Sequence, residues 1–216
     1  MVDLTNIFSG TSPLLPDSVK AASASTPEER DTLAVQEALR LIAVSQKPEA
    51  FATLEQQLTD NQRAHLSRET YAKLLMNQGD NQLALNLVEQ GLQLAPNHSG
   101  FKKVKARLLI TAGDIESAVT LLMSRAPQVN TDLEYHEILA SAQLASRDYR
   151  GAALSYTSLV QQDQSQGRWW YGFGASQEAL GNEISARQAF VRALEKPNLS
   201  TNLRRRAQDR LNRLGQ

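Results

Sequence analysis

Residues 99–132 read SGFKKVKARLLITAGDIESAVTLLMSRAPQVNTD, and the chain returns to the same plan every 34 positions. In this segment two small residues, Ala106 and Ala118, flank a Gly113-Asp114 turn, and bulky Leu122 follows the second of them. Working outward, Ala38, Ala72, Ala140 and Gly174 continue the first small series, and Ala50, Ala84, Ala152 and Ala186 the second. Leu54, Val88, Tyr156 and Phe190 continue the large series, while Gly79-Asp80, Arg147-Asp148 and Gly181-Asn182 continue the turn. A period of this length, in small, turn, small, large order, predicts helix-turn-helix units stacked into a solenoid.

The physical logic of each step is simple. Antiparallel helices approach closely only where both side chains are small, so Ala106 facing Ala118 sets the spacing within a unit. Gly113 takes the left-handed conformation that ends one helix, and Asp114 accepts an orphan amide hydrogen at the start of the next. The bulky residue stands one helical turn beyond the second small one and fills the neighbouring groove. Five such units are expected, over residues 31–64, 65–98, 99–132, 133–166 and 167–200, with a capping helix over 201–214. The first is the most degenerate, since Ser45-Gln46-Lys47-Pro48 replaces its glycine turn.

Residues 1–25 lack helical periodicity and are rich in Ser, Thr and Pro, which predicts a flexible linker. Order is expected to begin at Thr26-Pro27-Glu28-Glu29, a reciprocal cap with Pro in the first turn.

Composition agrees with a folded helical chain. At 216 residues with 41% hydrophobic content it is long enough to bury about 70% of its unfolded surface. It has no cysteine, which excludes disulfides, zinc–thiolate sites and thiol catalysis. The 23 basic and 23 acidic residues balance to a formal net charge of zero, so no global footprint for nucleic acid is present. No apolar run reaches the roughly 20 residues that span a bilayer, and the opening MVDLTNIFSG lacks a signal peptide's basic leader.

These features match the tetratricopeptide repeat. Its pattern W-x2-L-G-x2-Y…A-x3-F…P is similar to Trp170, Phe173, Gly174, Ala186 and Phe190, with Pro197 one residue early and Gln177 in place of Tyr. A second copy reads Tyr71, Ala72, Leu75, Ala84, Val88 and Pro96. The resemblance covers about residues 31–200 and implies an all-α, right-handed solenoid. A narrower one lies in RWWYGFGASQEALGNEISARQAFVRAL with LSTNLRRRAQDRL, which resembles the C-terminal region of biogenesis proteins of the mannose-sensitive haemagglutinin (MSHA) type IV pilus. Arg168-Trp169-Trp170, Gly172, Glu178, Gly181, Ala186, Ala193-Leu194, Leu199 and Arg210-Leu211 carry it. That resemblance implies a role in bacterial pilus assembly at the periplasmic face of the inner membrane. Such proteins resemble one another in having an N-terminal membrane span that this sequence lacks, so the pilus reading implies a natural reading frame that extends upstream of Met1, whereas an adaptor unconnected with pili would start at Met1.

Candidate chemistry is sparse. His65, His98 and His136 sit in different units without metal-ligand spacing and are expected to be surface or capping residues. Neither a nucleophile elbow nor a phosphate loop is present, and Gly172-x-Gly174 lacks the third glycine of a dinucleotide fingerprint. Gly174 is expected to pack, and Trp170 to lie in the core. No cofactor and no metal are expected, and the chain is expected to be non-catalytic. The Arg204-Arg205-Arg206 run is expected to be a solvated cap face.

What remains is the concave groove that first helices line in such a solenoid. Positions one after the small packing residue, and four before that, point into it. They give Glu69 and Lys73, Lys103 and Arg107, Glu137 and Ser141, and Tyr171 and Ala175. The expected centre is basic, from Lys73, Lys103 and Arg107, and the expected C-terminal end is aromatic, with Trp169 a possible exposed anchor. The expected partner is a protein or peptide rather than nucleic acid. A cytosolic adaptor or co-chaperone unconnected with pili is the alternative function.

Overall fold

The computed structural model describes residues 26–215. The linker expected over 1–25 lies outside the described residues. Eleven helices and no strand occur among the described residues: α1 (Pro27–Ala43), α2 (Lys47–Asp60), α3 (His65–Gln78), α4 (Asn81–Leu94), α5 (Ser99–Thr111), α6 (Ile115–Met123), α7 (Leu133–Ala145), α8 (Tyr149–Gln162), α9 (Gly167–Ala179), α10 (Glu183–Leu194) and α11 (Thr201–Leu214). They fall into two compact units, one ending at Tyr71 and one beginning at Ala72.

In the first unit α1 opens on the reciprocal cap: the Glu29 amide donates to Thr26 Oγ1 and the Thr26 amide to the Glu29 carboxylate, both at 3.0 Å. Helices α1 and α2 pack as an antiparallel pair, with Ala38, Ala50 and Leu54 wholly buried. Buried Asp31 of α1 accepts the Leu66 and Ser67 amides, each at 2.9 Å, and thereby caps the start of α3.

In the second unit every helix from α4 onward packs on the next, and the first helices of successive pairs also touch, α5 on α7, α7 on α9 and α9 on α11. This contact pattern produces the stack. It follows from the small-residue register, since Ala72, Ala84, Ala106, Ala118, Ala140, Ala152 and Ala186 are 0% exposed, as are Val88, Leu122 and Phe190. Gly174 completes the series as expected, for a Cβ there would stand 2.8 Å from the Phe190 ring.

The turns keep the same register in conformation. Gly79, Gly113 and Gly181 have φ of +92°, +87° and +79°. Ser45 and Arg147, at the equivalent positions without glycine, are held at +63° and +65°. In the glycine turns the next two amides reach back over the helix end, as Gly113 N to Ile110 O and Asp114 N to Leu109 O. Asp114 and Asp148 then cap the following helix through their side chains, accepting from Ser117 at 3.2 Å and Gly151 at 2.9 Å. Asp80 and Asn182 make no side-chain cap bond.

Helix α11 ends the stack. Ala207 is its buried contact, Leu211 and Leu214 rest against Phe190 and neighbours, and its other faces are polar.

Candidate functional site

The row α5, α7, α9 carries most of the residues expected to face a partner, and opposite charges bridge each joint of it. Lys103 of α5 reaches Glu134 of α7 at 2.7 Å and the α7 cap residue Asp132 at 3.2 Å. Arg107, one turn on, meets the same Glu134 at 2.7 Å. At the next joint Arg168 of α9 pairs with Glu137 of α7 at 2.7 Å. At the last, Arg210 of α11 binds Glu178 of α9 and lies over the rings of Tyr171 and Phe190, 5.9 and 5.8 Å from their centroids.

This geometry corrects the expected basic centre. Two cations, Lys103 and Arg107, meet two carboxylates, Asp132 and Glu134, so the cluster is compensated. Hydrogen bonds from Arg107 and Lys103 hold the Glu134 carboxyl at a pKa of about 2. Burial pulls Lys103 down, but its bonds to Glu134 and Asp132 outweigh that and keep it above the ordinary lysine value. Lys73 is half-buried in the second unit, while Glu69 is half-buried in the first.

Between α7 and α9 the surface changes character. Tyr156 crosses from α8 under α9, where Gly172 makes room: a Cβ on Gly172 would stand 2.2 Å from the phenol carbon Cζ. The ring is 5% exposed, yet its hydroxyl lies 3.1 Å from Oγ of exposed Ser141. Burial pushes the Tyr156 hydroxyl above the ordinary tyrosine pKa against the opposing bond from Ser141, and the nearby Glu137 and Tyr171 act in the same sense as burial. Glu137, Ser141 and Tyr171 are thus brought together around Tyr156, a residue the sequence placed only in the core.

Trp169 is not an exposed anchor. It is 3% exposed and packed in the cluster of Tyr156, Leu159, Val160 and Leu199, and its indole Nε1 finds no acceptor among the described residues. Gly172 and Gly174 let α9 approach Tyr156 and Phe190 closely. Trp170 is core as expected, donating from Nε1 to Gln164 O at 3.0 Å. Ala175 is also buried, at 5%, so it offers the groove no open surface. Arg168, Asp132, Glu134 and Arg210 were not singled out as site residues, although two bridges share a separation of 31 residues, Lys103 to Glu134 and Glu137 to Arg168. That spacing, one repeat less about a helical turn, is the signal for them.

Of the three histidines, His98 takes the expected capping role, and all three are half-buried. His98 Nδ1 caps α5, accepting from the Phe101 amide at 3.3 Å, and a ring nitrogen of His136 sits 2.8 Å from Pro127 O. No cluster suited to a metal ion occurs among the described residues, nor any helix long and apolar enough to cross a membrane. A cleft of about 440 Å³ between α4, α5 and α6, floored by Leu85, Leu109 and Leu121, includes none of the expected site residues.

The fold is a tetratricopeptide-type solenoid, and the tetratricopeptide repeat family matches residues 75–142. Among solved structures, YrrB, described as a TPR protein with an unusual peptide-binding site, superposes with a TM-score of 0.68 at 14% identity, over 90% of this chain and 98% of that one. A MamA chain from Desulfovibrio magneticus RS-1 gives 0.65 at 17% identity, over 79% and 96%. A thermophilic TPR protein of Thermus thermophilus gives 0.60 at 16%, over 84% and 99%. At these identities the likeness establishes the fold. No curated protein sequence matches the chain significantly.

Proposed function

We propose that this chain is a non-catalytic scaffold that binds a peptide segment of a partner protein along the α7–α9 part of its first-helix row. One observation carries the reading. At this joint Ser141 and the Tyr156 hydroxyl stand beside half-buried Tyr171 and Glu137, so hydrogen-bonding groups and an aromatic face lie together. At the α5–α7 joint, by contrast, the charges satisfy one another. The peptide-binding site described for YrrB supports the class of function, because that protein shares this arrangement of helix pairs.

The finer reading is a scaffold in MSHA-type IV pilus assembly on the periplasmic face of the inner membrane, supported by the likeness of residues 168–211 to the biogenesis protein MshN. The test is site-specific photocrosslinking in the native bacterium. A photoreactive residue at Ser141 or Tyr171 is expected to capture a pilus assembly component, whereas one at Leu154, 71% exposed on α8, should capture none. Crosslinks from Leu154 alone would move binding off the first-helix row. Capture at Ser141 of a cytosolic protein would favour the adaptor reading.

A further inference from the structure

Although the whole chain is neutral, its charge is unevenly placed. Residues 184–216 hold eight of the 23 basic residues and two of the 23 acidic ones, a net +6 against −6 for the remainder. Seven of those eight are arginine. Four have internal work, among them Arg192, whose guanidinium lies over the Trp170 ring 4.7 Å from its centroid. Arg204 donates to Leu194 O at 2.6 Å and Lys196 O at 2.9 Å beyond the end of α10, Arg187 donates to Leu214 O at 2.7 Å, and Arg210 holds Glu178.

Arg205, Arg206 and Arg213 are left over. All three are exposed; the first two have no partner among the described residues, and Arg213 reaches Glu178 only at 4.0 Å with 63% of its side chain exposed. At 100° per residue, Arg206 and Arg213 lie within about 20° of each other and Arg205 about 100° away, spread over about 12 Å of helix. Asp209 is the one acid among them.

The chemistry of this face selects its occupant. A protein interface centres on a large apolar or aromatic residue, and α11 exposes none. Single-stranded nucleic acid needs stacking aromatics, also lacking on this face. Specific duplex binders commonly neutralise about 6–10 phosphates, more than three arginines supply. A membrane rich in anionic headgroups makes none of these demands: each surface arginine adds about fivefold to partitioning, and the guanidinium fork fits phosphate oxygens. We propose that the outward face of α11 docks on an anionic phospholipid surface through Arg205, Arg206 and Arg213.

The experiment is co-sedimentation of the full chain with vesicles at low salt. Equal parts phosphatidylcholine and phosphatidylglycerol should carry the protein down, and phosphatidylcholine alone should leave it in solution. Replacing Arg205, Arg206 and Arg213 together by Gln should lower partitioning about a hundredfold. Asp209→Asn should raise it about fivefold on the anionic vesicles alone, with none carried down by phosphatidylcholine or without vesicles, a pattern that misfolding does not produce. Equal sedimentation with both vesicle types, or a triple variant that binds as wild type, overturns the proposal. So does tighter binding, at the same salt, to a duplex oligonucleotide or to polyglutamate, which would reassign the face to nucleic acid or to an acidic protein.

Discussion

The α5–α7 and α7–α9 joints are copies of the same contact one repeat apart, yet they are held by different physics. At the first, Lys103 and Arg107 are tied to Asp132 and Glu134 across the outside of the contact. At the second, one ion pair, Glu137 with Arg168, accompanies a close approach that Gly172 permits and the Tyr156 ring fills. A repeat register therefore fixes where helices meet and leaves open what meets there. The packed joint keeps exposed Ser141 and the Tyr156 hydroxyl side by side at the surface, because its closeness rests on the Tyr156 ring against Gly172 rather than on ion pairs alone.

The largest expected effect tests that packing. Gly172→Ala should raise helix propensity, yet the new methyl overlaps a buried ring, and overpacking of this kind costs about 1–3 kcal/mol. Urea denaturation should show the loss; a midpoint equal to or above wild type would mean that Tyr156 does not fill this joint. Ala118→Leu, which forces a wholly buried small position between α5 and α6, should cost a similar amount.

Removing the charges at the other joint should do less. Lys103→Gln with Arg107→Gln is expected to cost about 1–2 kcal/mol, because Lys103 is 12% exposed but Glu134 is 49% exposed and screened by water. The difference from wild type should shrink in high salt, which the Gly172 penalty should not do.

The acid limb of stability isolates Glu134. Its folded pKa of about 2 lies below the ordinary 4.5, so the unfolded chain takes up its proton first and stability falls with pH. The contribution is complete above about 4.5 and is lost as pH falls through that value towards about 2. Glu134→Gln should be less stable than wild type near neutrality by at most about 1 kcal/mol, and the two curves should converge over that window. Parallel curves would mean that the carboxylate is not held by its two cations.

Much of this was legible in the sequence, for a physical reason. Small residues at helix contacts and a left-handed residue at each turn are requirements on single positions, so the 34-residue period exposes them directly, as do the Thr26 cap and Gly174. Partners across joints are requirements on pairs. Glu134 carries no mark of its own, and only its 31-residue distance from Lys103 reveals the bridge. Trp169 misled because helical phase turns it off the stripe that holds Trp170, yet its ring is taken into the cluster of Tyr156, Leu159, Val160 and Leu199 from neighbouring elements. Buried Asp31 was silent too, since nothing local to α1 indicates the α3 amides it caps.

The smallest expected effect lies in the hairpin that joins α7 to α8. Arg147 occupies the left-handed turn position at φ +65°, where Gly113 and Gly181 sit at +87° and +79°. A left-handed backbone costs a residue with a Cβ about 1–2 kcal/mol, while glycine gives back about 0.5–1 kcal/mol in unfolded-state entropy. Arg147→Gly should thus stabilise by about 0.5 kcal/mol, and the reverse exchange, Gly113→Arg, should move the midpoint the other way. The pair separates backbone conformation from the side-chain chemistry of each joint, because the turn is common to both. Equal and small effects of opposite sign in urea denaturation would show that the turns are interchangeable and that the joints alone differ; a loss on Arg147→Gly would show that the arginine side chain holds its turn by a contact worth more than the strain it carries.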